Sequence, residues 1–164
     1  MQNFKNYTDY MSSPLGIIKI EASKYGITGI EFSGQENIPS LGCRLIEQCI
    51  VELAEYFSGR RKIFSLPLDH KGTNFQNSIW SALQNIVFSE TTSYGEIASM
   101  AGKPEAIRAA GTALKKNPIA IIIPCHRVIG KNGTLTGYSG GLKRKSWLLA
   151  HEDYYKDQPL FDNN

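Results

Sequence analysis

The sequence predicts an α/β protein of two small domains, the first built from antiparallel strands and a helix and the second mostly helical with a helix-turn-helix. The chain has 164 residues, which suits one or two domains, and it is 41% hydrophobic and 20% charged, as globular proteins are. Strand patterns precede residues 69–72, whereas most of the patterns that follow are helical. We therefore expect domains at residues 1–72 and 73–156, followed by a C-terminal tail at residues 157–164.

Three short segments of the first domain are predicted as β-strands. Leu15–Ala22 and Gly26–Ser33 are rich in β-branched residues and are separated by the turn residues 23–26, so they are expected to form a hairpin. Lys62–Leu68 has the pattern of an edge strand, because Pro67 has no N–H to donate to a neighbouring strand.

One amphipathic helix is predicted in the same domain. From Leu41 to Phe57 the apolar residues recur with the spacing of a single helix face. Ser40 is a suitable N-cap for this helix, and Gly59 is a suitable stop.

The second domain is predicted to contain a glycine-rich loop over residues 130–141 and four helices, over residues 74–86, 94–100, 104–116 and 142–152. Thr73 and Ser93 are the expected N-caps of the first two helices, and Glu96 can complete a capping box with Ser93. Pro104 suits the first turn of the third helix. The short connection before Pro104 contains a glycine, which is typical of a helix-turn-helix.

Positive charge is concentrated in the second domain. Between Thr91 and Lys145 there are nine basic and two acidic residues, a net charge of +7, whereas the whole chain carries +3. Such a block indicates a surface for a polyanion such as nucleic acid, although a solvated basic face would look the same. The third helix would enter a groove of DNA, and its small residues fit either a groove or a neighbouring helix. Arg108 lies in its early turns, and Lys103, Lys115 and Lys116 flank it as candidate phosphate contacts.

Cys125 is the candidate for covalent chemistry. It follows an apolar run, Ile119–Ile123, that is predicted as a buried strand. A thiol reacts as its thiolate, and the adjacent His126 and Arg127 could lower its pKa. Neighbouring side chains of an extended segment point apart, so His126 would reach Cys125 only through a turn or a bridging water. A buried structural cysteine is the alternative interpretation.

Several classes of protein and site are not supported by the sequence. No apolar run approaches the about 18–20 residues of a membrane span, and the N-terminus has no apolar signal-peptide region. Glycine motifs for nucleotides and metal-ligand spacings are absent, so neither a cofactor nor a metal is expected. Three cysteines without an export signal favour the reducing cytoplasm.

Seven segments of the second domain form a recognisable set. In chain order they are Phe75-Gln76 with Trp80, Thr92–Ala98, Arg108-Ala109 with Gly111, Asn117-Pro118, Ile123–Val128, Gly137–Leu142 and Trp147–Glu152. Together they closely resemble the O6-alkylguanine–DNA alkyltransferase family, also called methylated-DNA–protein-cysteine methyltransferases. Before Thr73 the resemblance is limited to the general layout.

The resemblance implies a ribonuclease-H-like first domain, a winged-helix-like second domain and direct-reversal DNA repair. An O6-alkylguanine, chiefly O6-methylguanine, would be flipped out of double-stranded DNA, and its alkyl group would be transferred irreversibly to Cys125, once per molecule. Flipping is required because a stacked base hides its O6 atom from an attacking sulfur. No cofactor is implied, because the lesion is the alkyl donor. The resemblance further implies a monomer that can cluster on DNA.

The resemblance also implies roles for individual residues. His126 and Glu152 match the pair that relays a proton from the cysteine through water. Asn117 matches the residue that braces the turn between the recognition helix and the active-site strand. Arg108 matches the side chain that fills the gap left by the flipped base, and Tyr94 matches one that crowds the 3′ phosphate. The guanine pocket would be formed by backbone groups near Cys125 and Val128, with Tyr138 and Ser139.

Three other protein classes fit the sequence less well. A lesion-sensing relative would lack the nucleophile, typically with Trp in its place, whereas position 125 is Cys. A helix-turn-helix regulator would explain the basic block but not Cys125 or Glu152. A papain-like hydrolase needs its cysteine on a helix and its histidine far along the chain.

Ala110 and Ala120 depart from the family pattern and leave the tolerated alkyl size open.

Overall fold

The computed structural model describes residues 6–35 and 42–160, and it contains two compact units. Of the described residues, the first unit takes in those up to His70 and residues 157–160, where Lys62 Nζ donates a hydrogen bond to the carbonyl of Gln158. The second unit is Lys71–Lys156. The first holds an antiparallel sheet with a helix, and the second is mostly helical. The mixed α/β class predicted from the sequence is therefore confirmed.

The sheet of the first unit consists of β1 (Tyr7–Ser13), β2 (Gly16–Ala22) and β3 (Ile27–Ser33), paired in that order. Both predicted strands are confirmed as β2 and β3, and the turn between them closes with a bond of 2.9 Å from the Ser23 N–H to the Gly26 carbonyl. The sequence does not predict β1, because its residues are mostly polar and lack the alternation of a half-buried strand.

The helix of the first unit, α1 (Arg44–Phe57), covers one face of this sheet. Fully buried apolar residues form the core between them, each contributing about 1.5–3 kcal/mol by burial: Ile18 and Ile20 on β2, and Ile46, Leu53 and Tyr56 on α1. The predicted start at Leu41 is wrong, because Cys43 is the extended N-cap and Arg44 the first helical residue. The predicted cap, Ser40, lies outside the described residues.

The predicted edge strand Lys62–Leu68 is wrong. Within this segment only Leu68 makes a bridge, an isolated one to Ile27. The Ile27 N–H donates to the Pro67 carbonyl at 2.9 Å, but Pro67 has no N–H with which to continue a ladder. The close approach of Pro67 to this end of β3 also requires glycine at position 26, since a Cβ there would lie 2.7 Å from the Pro67 oxygen.

Four helices dominate the second unit: α2 (Asn74–Leu83), α3 (Tyr94–Met100), α4 (Ile107–Lys115) and α5 (Leu142–Tyr155). The predicted N-caps are confirmed, because Thr73 and Ser93 each form a complete capping box, with Gln76 and Glu96 respectively. The helix α2 ends before its predicted limit, and α5 extends beyond its own.

The helices α3 and α4 are the two members of the helix-turn-helix. In the turn between them Gly102 has a φ of +78°, a conformation that favours glycine. Since α4 begins at Ile107, the prediction that Pro104 lies in its first turn is wrong. Pro104 instead lies in a separate turn, which a bond from the Ala106 N–H to the Lys103 carbonyl closes at 2.9 Å.

The predicted strand Ile119–Ile123 is also wrong. The Ile123 N–H donates to the Ile119 carbonyl at 3.1 Å, and Ile121 has a φ of +71°, so the segment is a series of turns. All three of these isoleucines are nevertheless buried. An apolar run of this length predicts burial but does not decide the backbone conformation.

Two short strands lie beside these turns. β4 (Thr92–Ser93) immediately precedes α3 and pairs in parallel with β5 (Val128–Ile129). Residues 130–141 contain neither helix nor strand, as predicted, and lead into α5.

Candidate active site

Cys125 begins a single 3-10 turn, Cys125–Arg127, between the buried isoleucines and β5. The Cys125 N–H donates to the Ile123 carbonyl at 2.8 Å, and the Arg127 N–H donates to the Pro124 carbonyl at 3.0 Å. Only 6% of Cys125 is exposed, and His126 and Arg127 are buried as well. The turn therefore directs three consecutive side chains into the interior, which an extended segment would not do.

The side chain of Asn117 holds this turn in place. Its Nδ2 donates to the Ile123 carbonyl at 2.8 Å and to the Cys125 sulfur at 3.1 Å. Its Oδ1 accepts a hydrogen bond of 3.0 Å from the Ile119 N–H. One amide group thus positions both the backbone before the cysteine and the sulfur itself.

A buried network of charged groups surrounds the Glu152 carboxylate. His126 Nε2 lies 2.8 Å from Glu152 Oε1, and the Nε and Nη2 atoms of Arg127 donate to Oε2 and Oε1 at 2.9 Å. The Ser89 N–H donates to Oε2 at 3.1 Å, and Arg127 Nη1 donates to the Ile86 carbonyl. Such a complete set of partners is what a buried carboxylate needs to remain charged.

The environment of Cys125 keeps its thiol protonated at rest. Burial raises the pKa of Cys125 above its ordinary value, although the hydrogen bond from Asn117 and the positive charge of Lys145 oppose that rise. The thiolate therefore forms when a base removes the proton.

The geometry of the His126 imidazole leaves it able to accept a proton. Burial lowers its pKa, an effect that Glu152 opposes. For Glu152, burial raises the pKa, but the hydrogen bonds and charges of His126 and Arg127 outweigh burial and hold this pKa below its ordinary value. A neutral imidazole that donates from Nε2 to an ionised carboxylate keeps Nδ1 free to accept a proton. His126 Nδ1 is buried and has no hydrogen-bond partner within the described part of the chain.

The loop 130–141 carries two of the predicted pocket residues, Tyr138 and Ser139. The Tyr138 hydroxyl is buried and has no hydrogen-bond partner among residues 6–35 and 42–160. Burial raises the pKa of Tyr138, and a thiolate at Cys125 raises it further, so the hydroxyl stays protonated. Val128 is fully buried, whereas Ser139 is exposed.

Tyr94, at the start of α3, contacts the same loop. Its hydroxyl lies 2.8 Å from Thr136 Oγ1 and 3.3 Å from the Thr136 carbonyl oxygen. The tyrosine ring also faces Gly111 of α4, where an added Cβ would lie 3.9 Å from the ring.

The predicted DNA-facing residues lie on the outside of the second unit. Lys103, Arg108 and Lys115 are exposed. Behind this face, the Trp80 indole N–H donates to the Ala113 carbonyl at 2.9 Å and ties α4 to α2.

The sequence gives Lys145 no role of its own and names Arg127 only as a neighbour that could lower the pKa of Cys125. Both belong to the basic block, which the sequence associates with a polyanion surface, yet Arg127 is 6% exposed and Lys145 is 1% exposed. That part of the prediction is wrong, because their charges meet a carboxylate and backbone carbonyls inside the unit. A signal for Arg127 was present, since it directly follows the Cys-His pair.

In the part of the chain that the structure describes, no three His, Cys, Asp or Glu side chains are grouped so as to hold a metal ion. Across the same residues, no helix combines the length and apolar character needed to cross a membrane.

The chain is similar to known proteins over nearly its whole length. The methylated-DNA–protein-cysteine methyltransferase of Methanosarcina barkeri is 43% identical over 153 residues, covering 90% of this chain and 97% of that protein. A solved O6-methylguanine methyltransferase from Mycobacterium tuberculosis has a TM-score of 0.85 and 38% identity, covering 95% of this chain and 98% of the other. The OGT of the same organism in complex with DNA has a TM-score of 0.84 and 41% identity, covering 90% of this chain and 93% of the other.

Both units also match family domains. Residues 6–70 match the ribonuclease-like domain of 6-O-methylguanine DNA methyltransferase, and residues 74–154 match its DNA-binding domain. The chain therefore belongs to the 6-O-methylguanine DNA methyltransferase family.

Proposed function

We propose that this protein repairs DNA by direct reversal, transferring the alkyl group of an O6-alkylguanine, chiefly O6-methylguanine, to Cys125. The S–C bond forms as the C–O6 bond breaks, and the proton lost by the thiol balances the proton that the restored guanine takes up. The resulting thioether is stable, so each molecule acts once. The observation that carries this proposal is a buried Cys125 sulfur held 3.1 Å from Asn117, one residue before a histidine paired with a carboxylate.

His126 is the proposed proton acceptor. The proton passes from the thiol through a water molecule to Nδ1, the atom of the imidazole that the Glu152 interaction leaves unprotonated. Glu152 then stabilises the imidazolium, while Arg127 keeps Glu152 ionised. Asn117 holds the sulfur in line for attack. This order of groups supports Cys125 as a nucleophile rather than an inert structural cysteine.

Double-stranded DNA containing the lesion is the proposed partner. Arg108 is exposed near the start of α4 and, of the described residues, none forms an ion pair with it, so its guanidinium is available to enter the minor groove. The adjacent Ala109 and Gly111 keep that flank of the helix thin. Lys103 and Lys115 are proposed to contact phosphates.

The flipped guanine is proposed to occupy a pocket beside Cys125, formed by Val128, Tyr138 and Ser139. The buried Tyr138 hydroxyl, which lacks a hydrogen-bond partner among the described side and main chains, supports this assignment because a bound base would provide one. Tyr94 is proposed to crowd the 3′ phosphate and so to favour extrusion of the base.

The protein is proposed to act as a cytoplasmic monomer that clusters on DNA. The three cysteines are all unpaired, and the nucleophile must stay reduced to react, which supports a reducing compartment. Alkyl transfer is favoured over lesion sensing, because Cys125 supplies the acceptor atom that a sensor would lack.

Mass spectrometry tests this function directly. After incubation with excess duplex carrying one O6-methylguanine, the Cys125 peptide should gain the mass of one CH2 group, and each protein molecule should repair one lesion. Cys125→Ala should bind the duplex without gaining mass, and Cys43→Ala should react like the wild type. Cys49 should stay unmodified, because burial raises its pKa to about 12. Methyl transfer to Cys43 or Cys49, or repeated turnover, would refute the proposal.

A further inference from the structure

A tight turn between α2 and β4 lies directly against the buried charge network. The Glu90 N–H donates to the Val87 carbonyl at 2.9 Å, which closes a turn of residues 87–90. The third residue of this turn, Ser89, has a φ of +69°, a left-handed conformation that residues other than glycine seldom adopt. A closing bond together with a positive φ at the third residue is the arrangement of a type II turn, which favours glycine or asparagine there. The backbone of Ser89 is therefore strained.

The turn 87–90 contacts both members of the buried ion pair between Arg127 and Glu152. The Ser89 N–H donates to Glu152 Oε2 at 3.1 Å. The Arg127 Cζ atom lies 5.8 Å from the centre of the buried Phe88 ring, and Arg127 Nη1 donates to the carbonyl of Ile86, the residue before the turn. These contacts reach the network from a part of the chain that is distant in sequence from Cys125.

The strained conformation is what directs the Ser89 N–H. Type I and type II turns differ by a flip of the central peptide, because ψ of the second residue and φ of the third change together by roughly 150–170°. In the turn 87–90 that peptide joins Phe88 to Ser89, so it carries the N–H that bonds to Glu152. In an unstrained type I turn the same N–H would point the other way. The bond to Glu152 thus depends on a conformation that serine disfavours.

This bond holds the carboxylate independently of the turn that begins at Cys125. His126 and Arg127 belong to that turn, and between them they bond to both oxygens of Glu152. The Ser89 N–H reaches Oε2 from elsewhere in the chain, so Oε1 is kept facing His126 Nε2 at 2.8 Å. The imidazole is then oriented with Nδ1 free to accept a proton. Strained backbone that persists beside reactive groups is a sign of such positioning.

We propose that Ser89 is a positioning residue for alkyl transfer, because its left-handed backbone turns its N–H onto Glu152 and so holds the carboxylate against His126. This inference rests on the proposed function of Cys125. Ser89 acts through Glu152 and His126 and does not contact the substrate. Its hydroxyl takes no part in the bond to Glu152, so the preference of residue 89 for the left-handed region decides the effect of a substitution.

Variants at position 89 separate the backbone conformation from the chemistry of the side chain. Ser89→Gly keeps the N–H and adopts a positive φ readily, whereas Ser89→Val introduces a β-branched side chain that disfavours it and flips the peptide away from Glu152. Ser89→Thr is a smaller β-branched change and carries the test if Ser89→Val does not fold. Ser81→Val, on the exposed surface of α2, is the matched control.

Single-turnover transfer from a duplex with one O6-methylguanine gives three quantities: the maximal rate, the duplex concentration at half that rate, and the fraction of protein that reacts. We expect Ser89→Val to lower the maximal rate about tenfold and Ser89→Thr to lower it about threefold, because the proton acceptor is less well oriented. The other two quantities should keep their wild-type values. Ser89→Gly and Ser81→Val should react within about twofold of the wild-type rate.

Hydrogen exchange of the residue 89 amide, measured by NMR, tests the bond without any substrate. Exchange should be slow in the wild type and in Ser89→Gly, and at least about tenfold faster in Ser89→Val. A wild-type maximal rate in folded Ser89→Val and Ser89→Thr would overturn the inference, as would a reduced reactive fraction at an unchanged rate, equal slowing in Ser89→Gly, or an unprotected wild-type amide. If the amide is protected but the wild type accepts no methyl group, the proposed function fails instead.

Discussion

The Nε2 atom of His126 lies 2.8 Å from Oε1 of Glu152, and neither side chain has any exposed surface. The same carboxylate accepts two hydrogen bonds from Arg127. The three groups therefore depend on one another for charge balance, since removal of one would leave the others buried without their partner.

We expect Glu152→Gln to destabilise the second unit by about 3–5 kcal/mol, because the buried Arg127 would lose its counter-charge. Trp80 and Trp147 both lie in this unit, so urea unfolding followed by tryptophan fluorescence measures the change. Asp153→Asn is the control, because its side chain is 71% exposed on the same helix. A loss no larger in Glu152→Gln than in Asp153→Asn would contradict the network.

The lowered pKa of His126 predicts that acid weakens the second unit. An unfolded histidine binds a proton near pH 6.5, whereas folded His126 stays neutral to lower pH, so the unfolded chain binds more protons below about pH 6.5. Stability should fall by up to about 1.4 kcal/mol between pH 7.5 and 5.5, and His126→Gln should remove most of this dependence. The urea midpoints of unfolding at pH 7.5 and at pH 5.5 measure this loss of stability, and His70→Gln is the control. An equally steep loss in His126→Gln would assign the dependence elsewhere.

Asn117→Ala is expected to destabilise the second unit by about 1–3 kcal/mol and to slow transfer, because the Ile119 N–H loses its partner and the Ile123 carbonyl loses one of its two donors. The sulfur of Cys125 loses its donor as well. Unfolding and single-turnover rates measure the two effects. Asn85→Ala is the comparison, since that side chain makes one longer, exposed bond of 3.3 Å. Wild-type transfer by Asn117→Ala would mean that the amide does not position the thiol.

Arg108→Ala is expected to slow repair of duplex DNA by at least about tenfold, because nothing would then replace the extruded base in the stack. Reaction of Cys125 with the free base should be unchanged. Lys103→Ala should instead weaken DNA binding and lower the salt dependence of that binding by roughly one counterion. Rates with duplex and free base, measured for both variants, distinguish the roles. Equal losses on both substrates in Arg108→Ala would show that Arg108 does not assist flipping.

Features that depend on neighbouring residues could be predicted from the sequence. The capping boxes at Thr73 and Ser93 were predictable, because each is formed by side chains three positions apart. The apolar run Ile119–Ile123 identified buried residues but not their turns, since the positive φ of Ile121 lies in a bend that Asn117 holds. The polar strand β1 carries no local signal and forms through its pairing with β2.

The basic block also shows which features depend on neighbouring residues and which depend on contacts between distant parts of the chain. Arg108 and Arg127 have the same charge in the sequence, yet the first is exposed and the second is buried against a carboxylate 25 residues away. Only the folded chain brings that carboxylate to Arg127, and only the folded chain brings the carbonyls of Val128 and Thr136 to the ammonium group of Lys145.

By itself, the sequence determined the two-domain α/β class, the helix caps and the segment around Cys125 that is proposed to react, because these depend on residue type and short-range spacing. The tertiary structure decided the turn that buries Cys125 beside Asn117, the charge network of Glu152 and the interior position of Lys145. The reason is physical: a buried charge is stable only where distant parts of the chain supply its partners, and no local pattern encodes those distances.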